Sequence, residues 1–193
     1  RDLRMSRGLG DVYKRQIPGS SLKGKLRSLF ELNDKESAQS VMKNKGGPAT
    51  DGDSKAAKIF GVSADNNKAL DFPTRLIVRD AFPTEESIEL WSKQEDIVRG
   101  AELKDENKLN RITSAATPRS IERIPKGSVF AFEFIFSVYE EDEDNLMGVF
   151  EAMRLLEDNY LGGSGSRGYG KVKFANISIL SLIHISEPTR HAQ

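Results

Sequence analysis

No cysteine occurs anywhere in the 193 residues, and the two histidines, His184 and His191, both fall in the last ten. Without a thiol or an internal imidazole, Ser–His and Cys–His nucleophilic systems and Cys/His zinc sites are excluded from residues 17–179. Any chemistry there must use carboxylates, amines, hydroxyls or an oxygen-bound metal. The absence of cysteine fits a reducing compartment. Long apolar runs are missing too: nothing approaches the roughly 20 residues of a membrane span, and no secretory signal is visible. Charge of one sign is also lacking, since 29 basic side chains face 29 acidic ones. Overall charge therefore gives no argument for nucleic-acid binding, and any basic surface must be local. The class these absences leave is a soluble cytoplasmic domain.

Glycine, by contrast, is concentrated. The segment Leu161-Gly-Gly-Ser-Gly-Ser-Arg-Gly-Tyr-Gly-Lys171 places Gly162, Gly163, Gly165, Gly168 and Gly170 around Ser164, Ser166 and Arg167. Glycine tolerates positive φ and lets a backbone approach a ligand, so such a loop can turn N–H groups toward phosphates. Two familiar templates nearly fit: residues 163–168 spell the dinucleotide fingerprint, and 165–171 the start of a P-loop. Both fail on context. Val172 stands where a P-loop needs Ser or Thr, and both templates should follow a strand and open a helix. Here a helix precedes, predicted over 144–160 from the apolar face Leu146, Val149, Phe150, Met153, Leu156 and Tyr160. A strand is predicted to follow over 171–179. A small-molecule nucleotide enzyme is therefore disfavoured, and an ordinary helix-to-strand turn is the plain alternative.

Residues 6–16 and 180–190 can be encoded by reverse-complementary DNA. Gln16 answers Leu180, Tyr13 answers Ile183, Val12 answers His184, and the correspondence runs to Ser6 against Arg190. The implied DNA looks like a transposon-end adapter from sequencing-library preparation, read in opposite directions. Residues 1–16 and 180–193 are accordingly expected to be adapter-derived and are set aside from fold reasoning. The expectation is a domain over 17–179 that is truncated at its N-terminal side. It carries 23 basic and 26 acidic side chains and is long enough for one real core.

Along that domain, Ile17-Pro-Gly-Ser-Ser-Leu-Lys-Gly-Lys25 reads as a turn feeding a helix, with Ser20 or Ser21 as N-cap. Leu22, Leu26, Leu29 and Phe30 make its buried face. Lys23, Lys25 and Arg27 point elsewhere, near the positive end of the helix dipole, where cations are unfavourable unless an anion joins them. An amphipathic helix with a solvated basic face is the plain reading. Residues 33–71 read as a long, mobile surface insertion interrupted by the apolar patch Ile59-Phe60-Gly61-Val62. Asp51 and Asp53 within it lack the further ligands of an EF-hand, so a solvated loop is expected. A strand is predicted over 73–81, closed by Asp80, then a short helix over 84–94 burying Ile88 and Trp91. Residues 102–124 suggest a projecting hairpin that turns at Ala116-Thr-Pro-Arg119. A strand over 129–138 follows, with Phe130, Phe132, Phe134 and Phe136 on one face. This row could stack nucleobases, but the helix after it needs an apolar sheet face to cover, which favours core. Adding one strand upstream of Ile17 turns this order into β-α-β-β-α-β, the ferredoxin-like arrangement of an α+β fold.

With these residues in hand, the chain resembles the RAMP superfamily of CRISPR proteins, and within it the family of third subunits of the type III-A Csm interference complex. The resemblance spans nearly all of 17–179. It rests on the segment from Ile17 to Lys25, on Pro73-Thr-Arg-Leu-Ile-Val-Arg-Asp80, on Arg111-Ile-Thr with Pro118-Arg-Ser-Ile-Glu-Arg123, and on the glycine loop through Tyr169-Gly-Lys-Val172. It implies a ferredoxin-like RAMP fold with a long loop insertion and a projecting hairpin, its first strand missing here. It further implies a repeated backbone subunit that polymerises along a CRISPR guide RNA with copies of itself and other Csm subunits, away from any membrane. Such a subunit cuts the paired target RNA in a reaction needing magnesium or a similar divalent metal. Carried onto this chain, Ser20, Ser21, Lys23, Lys25 and Arg27 would hold guide backbone. Gly162, Gly163, Ser164, Gly165, Ser166 and Arg167 would complete the cradle. Arg119 and Arg123 would lie on or near the hairpin wedge, with Arg75 and Arg79 as weaker candidates. The family's catalytic aspartate lies upstream of the Ile-Pro-Gly-Ser-Ser motif, so no catalytic role falls on Asp80, Glu102 or Glu106. This fragment is expected to bind no metal and to cut nothing. A structural RAMP subunit that binds RNA without cutting it is the alternative.

Overall fold

Leu22, Leu26 and Phe30 recur every four residues, and in the computed structural model of the chain they form the buried stripe of helix α1 (Gly19–Asn33). The structure describes residues 15–50, 52–62, 73–139 and 142–181. The expected adapter-derived ends fall almost wholly outside these residues, as does Asp51. In chain order there follow α2 (Lys35–Lys43), α3 (Lys55–Phe60), β1 (Leu76–Val78), β2 (Phe82–Pro83) and α4 (Glu85–Ser92). Next come β3 (Ile97–Val98), β4 (Ala101–Leu109), β5 (Ala116–Arg123), β6 (Phe130–Ala131), β7 (Phe134–Phe136) and α5 (Glu143–Glu157).

Two antiparallel pairings make the central ribbon. β1 pairs β7, with Leu76 opposite Phe136, and β2 pairs β6, with Phe82 opposite Ala131. The register steps by one residue between them, so three residues from Arg79 oppose two from Phe132. Such a bulge bends a ribbon and interrupts its ladder. That is why the single strands expected over 73–81 and 129–138 each appear as two short pieces. One face of the ribbon is covered by α1 and α5. Leu22, Leu26, Leu76, Val149, Ala152 and Leu156 lie in the core, and Phe132, Phe134 and Phe136 pack against it. The phenylalanine row therefore faces protein, while Phe130 turns to Trp91, 6.1 Å between ring centroids. Truncating Leu26, which has no exposed surface, would cost about 2–5 kcal/mol by loss of transfer energy and the cavity left behind.

The stretch expected to be a mobile loop folds in part. Asp34 accepts a hydrogen bond from the Ser37 N–H and starts α2, and Ser54 accepts one from the Ala57 N–H and starts α3. The caps satisfy orphan amides, and the apolar patch seen in the sequence anchors the segment: Ile59 is fully buried and Phe60 packs at a tilt against Phe30, 5.9 Å between ring centroids. The hairpin is present, but its turn is displaced to residues 110–115. The Asn110 side chain accepts from the Ile112 and Thr113 N–H groups, while Pro118 sits inside the ladder opposite Asn107. Residues 171–179 are not a strand. A strand needs a ladder partner, and none of the described residues pairs with this segment. Val172 and Phe174 still pack against the core, Phe174 edge-on to Phe132 at 5.3 Å.

The ribbon is tied to α5 by a buried ion pair, Arg75 Nε to Asp142 Oδ2 at 2.8 Å. Burial alone would raise the Asp142 carboxyl. Hydrogen bonds from Arg75, Asn145 and the Tyr139 N–H, with the Arg75 charge, hold it below the usual carboxylate value. A depressed folded pKa gives stability that is complete above the unfolded value near 3.9 and lost as pH falls through the folded one. Asp142→Asn should therefore lower the urea midpoint at neutral pH, by an amount on the order of 3 kcal/mol in stability. It should also flatten the fall in stability below about pH 4. An unchanged acid limb in urea titrations would contradict this account.

Candidate functional site

The expected serine cap is not made. The N-cap is Pro18, and neither Ser20 nor Ser21 caps α1 with its side chain; both lie exposed in the first turn. Asp80 takes the role from the ribbon: its Oδ1 accepts the Gly19 N–H at 2.7 Å. Gly19 permits the approach, since a β-carbon there would stand 2.4 Å from the Val78 carbonyl oxygen. Ile17 and Ala81 exchange two backbone hydrogen bonds just before it. The Ile-Pro-Gly-Ser-Ser motif is thus a docking joint that leaves Ser20 and Ser21 exposed in the first turn of α1.

The three cations of α1 do not form one patch. Lys23 and Arg27, four apart, share a side. Lys23 Nζ donates to the Leu76 carbonyl at 2.8 Å, and Arg27 Nε pairs with the buried Glu31 at 2.6 Å. Burial, and then the Arg27 charge, hold the Lys23 ammonium below its usual pKa. Lys25 lies on the other side, its Nζ 4.1 Å from the centroid of the Tyr160 ring.

Tyr160 follows α5 and stands at the base of the glycine loop, which is closed by the Leu161 N–H donating to the Gly170 carbonyl at 2.8 Å. Gly165 lies directly against the tyrosine ring, because a β-carbon there would be 2.0 Å from a ring atom. Lys25 and Gly165 therefore both lie against the Tyr160 ring, and α1 meets the glycine loop through one aromatic ring. Ser164 holds φ 59°, and Gly162 and Gly168 are likewise left-handed. Gly163 has no such φ and open space where a β-carbon would sit. Gly162, Gly163, Ser164 and Ser166 are exposed.

The hairpin reaches the same loop. Arg119 Nη2 and, at 3.1 Å, Arg167 Nη1 both pair with Glu106 Oε2, while the Tyr169 hydroxyl donates to Glu106 Oε1 at 2.6 Å. Arg123 pairs with Glu102 across the strands. The Tyr169 ring lies 5.3 Å from the Arg123 guanidinium and 5.4 Å from Lys104 Nζ. Tyr160, Tyr169, Lys104 and Glu106 were missed as site residues. Tyr169 stood in the glycine motif, and Glu106 alternates with cations along β4; those were the available signals. Arg75 belongs to the buried ion pair with Asp142, and Arg79 pairs with Glu133 at 3.2 Å. Among the described residues no group of three or more His, Cys, Asp or Glu is placed to hold a metal ion. Nor is any described helix long and apolar enough to cross a membrane.

The exposed residues of the glycine loop and the partly exposed arginines beside them offer chemistry suited to phosphates. The sequence profile of the RAMP superfamily matches residues 12–173. The chain belongs to the RAMP superfamily. This RAMP protein is 52% identical over 175 residues to the CRISPR system Cms endoribonuclease Csm3 of Methanothermobacter thermautotrophicus, covering 84% of this chain and 68% of that one. It is 42% identical over 168 residues to the protein of the same name from Methanocaldococcus jannaschii, covering 85% of this chain and 64% of that one. A solved Csm3–Csm4 subcomplex of the type III-A CRISPR-Cas interference complex matches with TM-score 0.52 and 34% identity, over 83% of this chain and 62% of that chain. The chain thus spans about two thirds of the length of these relatives. The α+β RAMP fold expected from the sequence is the one found, with α1, the ribbon and α5 in ferredoxin-like order.

The ring contact is testable by two neighbouring glycines. Gly165→Ala should destabilise this RAMP domain by about 1–3 kcal/mol, because the methyl overpacks against Tyr160. Gly163→Ala should change stability by less than about 0.5 kcal/mol. Denaturant unfolding of the two variants checks the order, and equal effects would contradict the ring contact.

Proposed function

We propose that residues 17–179 form a RAMP RNA-binding domain and that the intact protein is a guide-RNA-binding backbone subunit of a type III-A CRISPR interference complex. In this reading it cleaves complementary target RNA in antiviral defence, in the cytoplasm, alongside other Csm subunits and further copies of itself. The names carried by the relatives support the activity and the assembly. One observation of this molecule carries the RNA-holding part: α1 at Lys25, the glycine loop and the hairpin, far apart in sequence, meet through Tyr160 and Glu106.

The physical roles follow from position. The exposed Ser20 and Ser21 hydroxyls at the positive end of α1, and the amides of 162–166, suit a backbone phosphate. Lys25 adds a cation against the Tyr160 ring. Lys23 and Arg27 are engaged inside the domain, so they contribute field more than direct contact. Arg119, Arg123 and Arg167 line the junction of hairpin and loop. Cleavage is assigned to no residue described here. Magnesium or a similar ion belongs, in this reading, to the cutting step of the intact protein.

Lys25→Gln should weaken binding of a labelled guide RNA without regard to sequence and lower the salt slope by about 0.7, the share of one phosphate contact on a single strand. An unchanged slope would place Lys25 outside the RNA path. The enzymatic half is tested by assembling the intact protein with its partner subunits and guide, adding complementary RNA and magnesium, and resolving the products. Regular cuts are expected. Tight target binding without cuts would favour the non-catalytic structural reading.

A further inference from the structure

From Leu103 to Ser120 every residue of the hairpin is exposed except Glu106. Its carboxylate receives Arg119 from the facing strand, and Arg167 and Tyr169 from the glycine loop. Cross-strand pairing alone explains Arg119, which the register sets opposite Glu106. It does not explain why two donors from the glycine loop converge on the same two oxygens.

We propose that Arg119, Arg167 and Tyr169 form a subsite for one phosphodiester of the bound RNA, which Glu106 fills as an internal stand-in until a phosphate displaces it. The proposal rests on the RNA-holding reading above and gives it a defined contact. Carboxylate and phosphate are both oxyanions that guanidinium groups bind in the same fork geometry. Here two guanidinium groups and a phenol already point at one anion. The surroundings remain cationic, since Lys104 and Arg123 flank the Tyr169 ring and Glu102 is the other acid of this face. Four cations thus face two carboxylates, which leaves room for further negative charge.

Access and energetics agree. The Arg119 and Arg167 side chains are 45% and 48% exposed, whereas that of Glu106 is 19% exposed and lies beneath them. A phosphate can therefore approach both guanidinium groups from solvent without opening the core. Ion pairs whose arginine side opens to solvent hold little net stability, so exchanging one anion for another is inexpensive. In the absence of RNA, Glu106 keeps the cations from repelling one another and holds the hairpin against the loop.

Glu106→Gln keeps the size and one hydrogen-bond-accepting oxygen but removes the competing charge. Fluorescence anisotropy with a labelled oligouridylate, over a range of salt concentrations, should show it binding roughly two- to fivefold more tightly than the unaltered chain, the factor an exposed ion pair sets. The salt slope should steepen, because one more phosphate is neutralised without an internal competitor. Adding Arg119→Ala and Arg167→Ala should abolish the gain. Circular dichroism confirms that each variant is folded. Weaker or equal binding by Glu106→Gln, with the unaltered chain binding RNA normally, overturns the stand-in and makes Glu106 a strut. No binding by the unaltered chain overturns the RNA-holding reading itself, and this proposal with it.

Discussion

The site depends on α1 lying against α5 across the ribbon. Leu22, Leu26 and Phe30 on one helix and Val149, Ala152 and Leu156 on the other share a single core. That packing sets the Tyr160 ring, just beyond α5, beneath Lys25 of α1. A cation over an exposed ring is worth only about 0.5–1 kcal/mol, far less than the burial that positions it. The contact is therefore a consequence of the core and an index of it. Once Tyr160 is placed, the glycine loop follows, since Gly165 rests directly against the ring.

A protein read as a phosphate binder carries surprisingly many acids beside its cations. Arg27 faces Glu31, Arg119 and Arg167 face Glu106, and Arg123 faces Glu102. Their burial separates them. Glu31 is almost wholly enclosed and also accepts the Ala49 N–H, so it joins α1 to the segment before α3. In the hairpin pairs the arginines are a third to a half exposed, and pairs open to solvent are weak. The first pairing belongs to the fold; the second leaves its arginines available. Balanced overall charge is thus compatible with a local basic path, because many of the acids are spent inside the domain or in solvent away from it.

Periodic signals read well from the sequence. The apolar stripe of α1, that of α5 as far as Leu156, and Phe132, Phe134 and Phe136 of the Phe row appear as expected. Misreadings cluster where a local signal competes with an unseen neighbour. Ser20 and Ser21 are good N-caps in isolation, but Asp80 reaches Gly19 first, across a separation that sequence spacing does not reveal. Asp34 and Ser54 opened helices inside a polar stretch whose composition suggested a loop. Pro118 suggested the hairpin turn, yet Asn110 makes a better one, because its side chain satisfies two amides at once. Residues 171–179 alternate as a strand should, but alternation cannot supply a ladder partner.

The chain's own residues settled the α+β class, the amphipathic faces, the glycine loop and the kinship that four ordered motifs imply, because each is written in spacing along one segment. Only tertiary structure decided which cations face the loop. Lys23, Lys25 and Arg27 are chemically alike and nearly adjacent, yet two turn toward the ribbon and the buried Glu31 while one turns to Tyr160. Helical geometry sends them to opposite sides, and what waits on each side is set by elements many residues away. The same holds for Glu106, whose partners come together only when hairpin and loop are folded against each other.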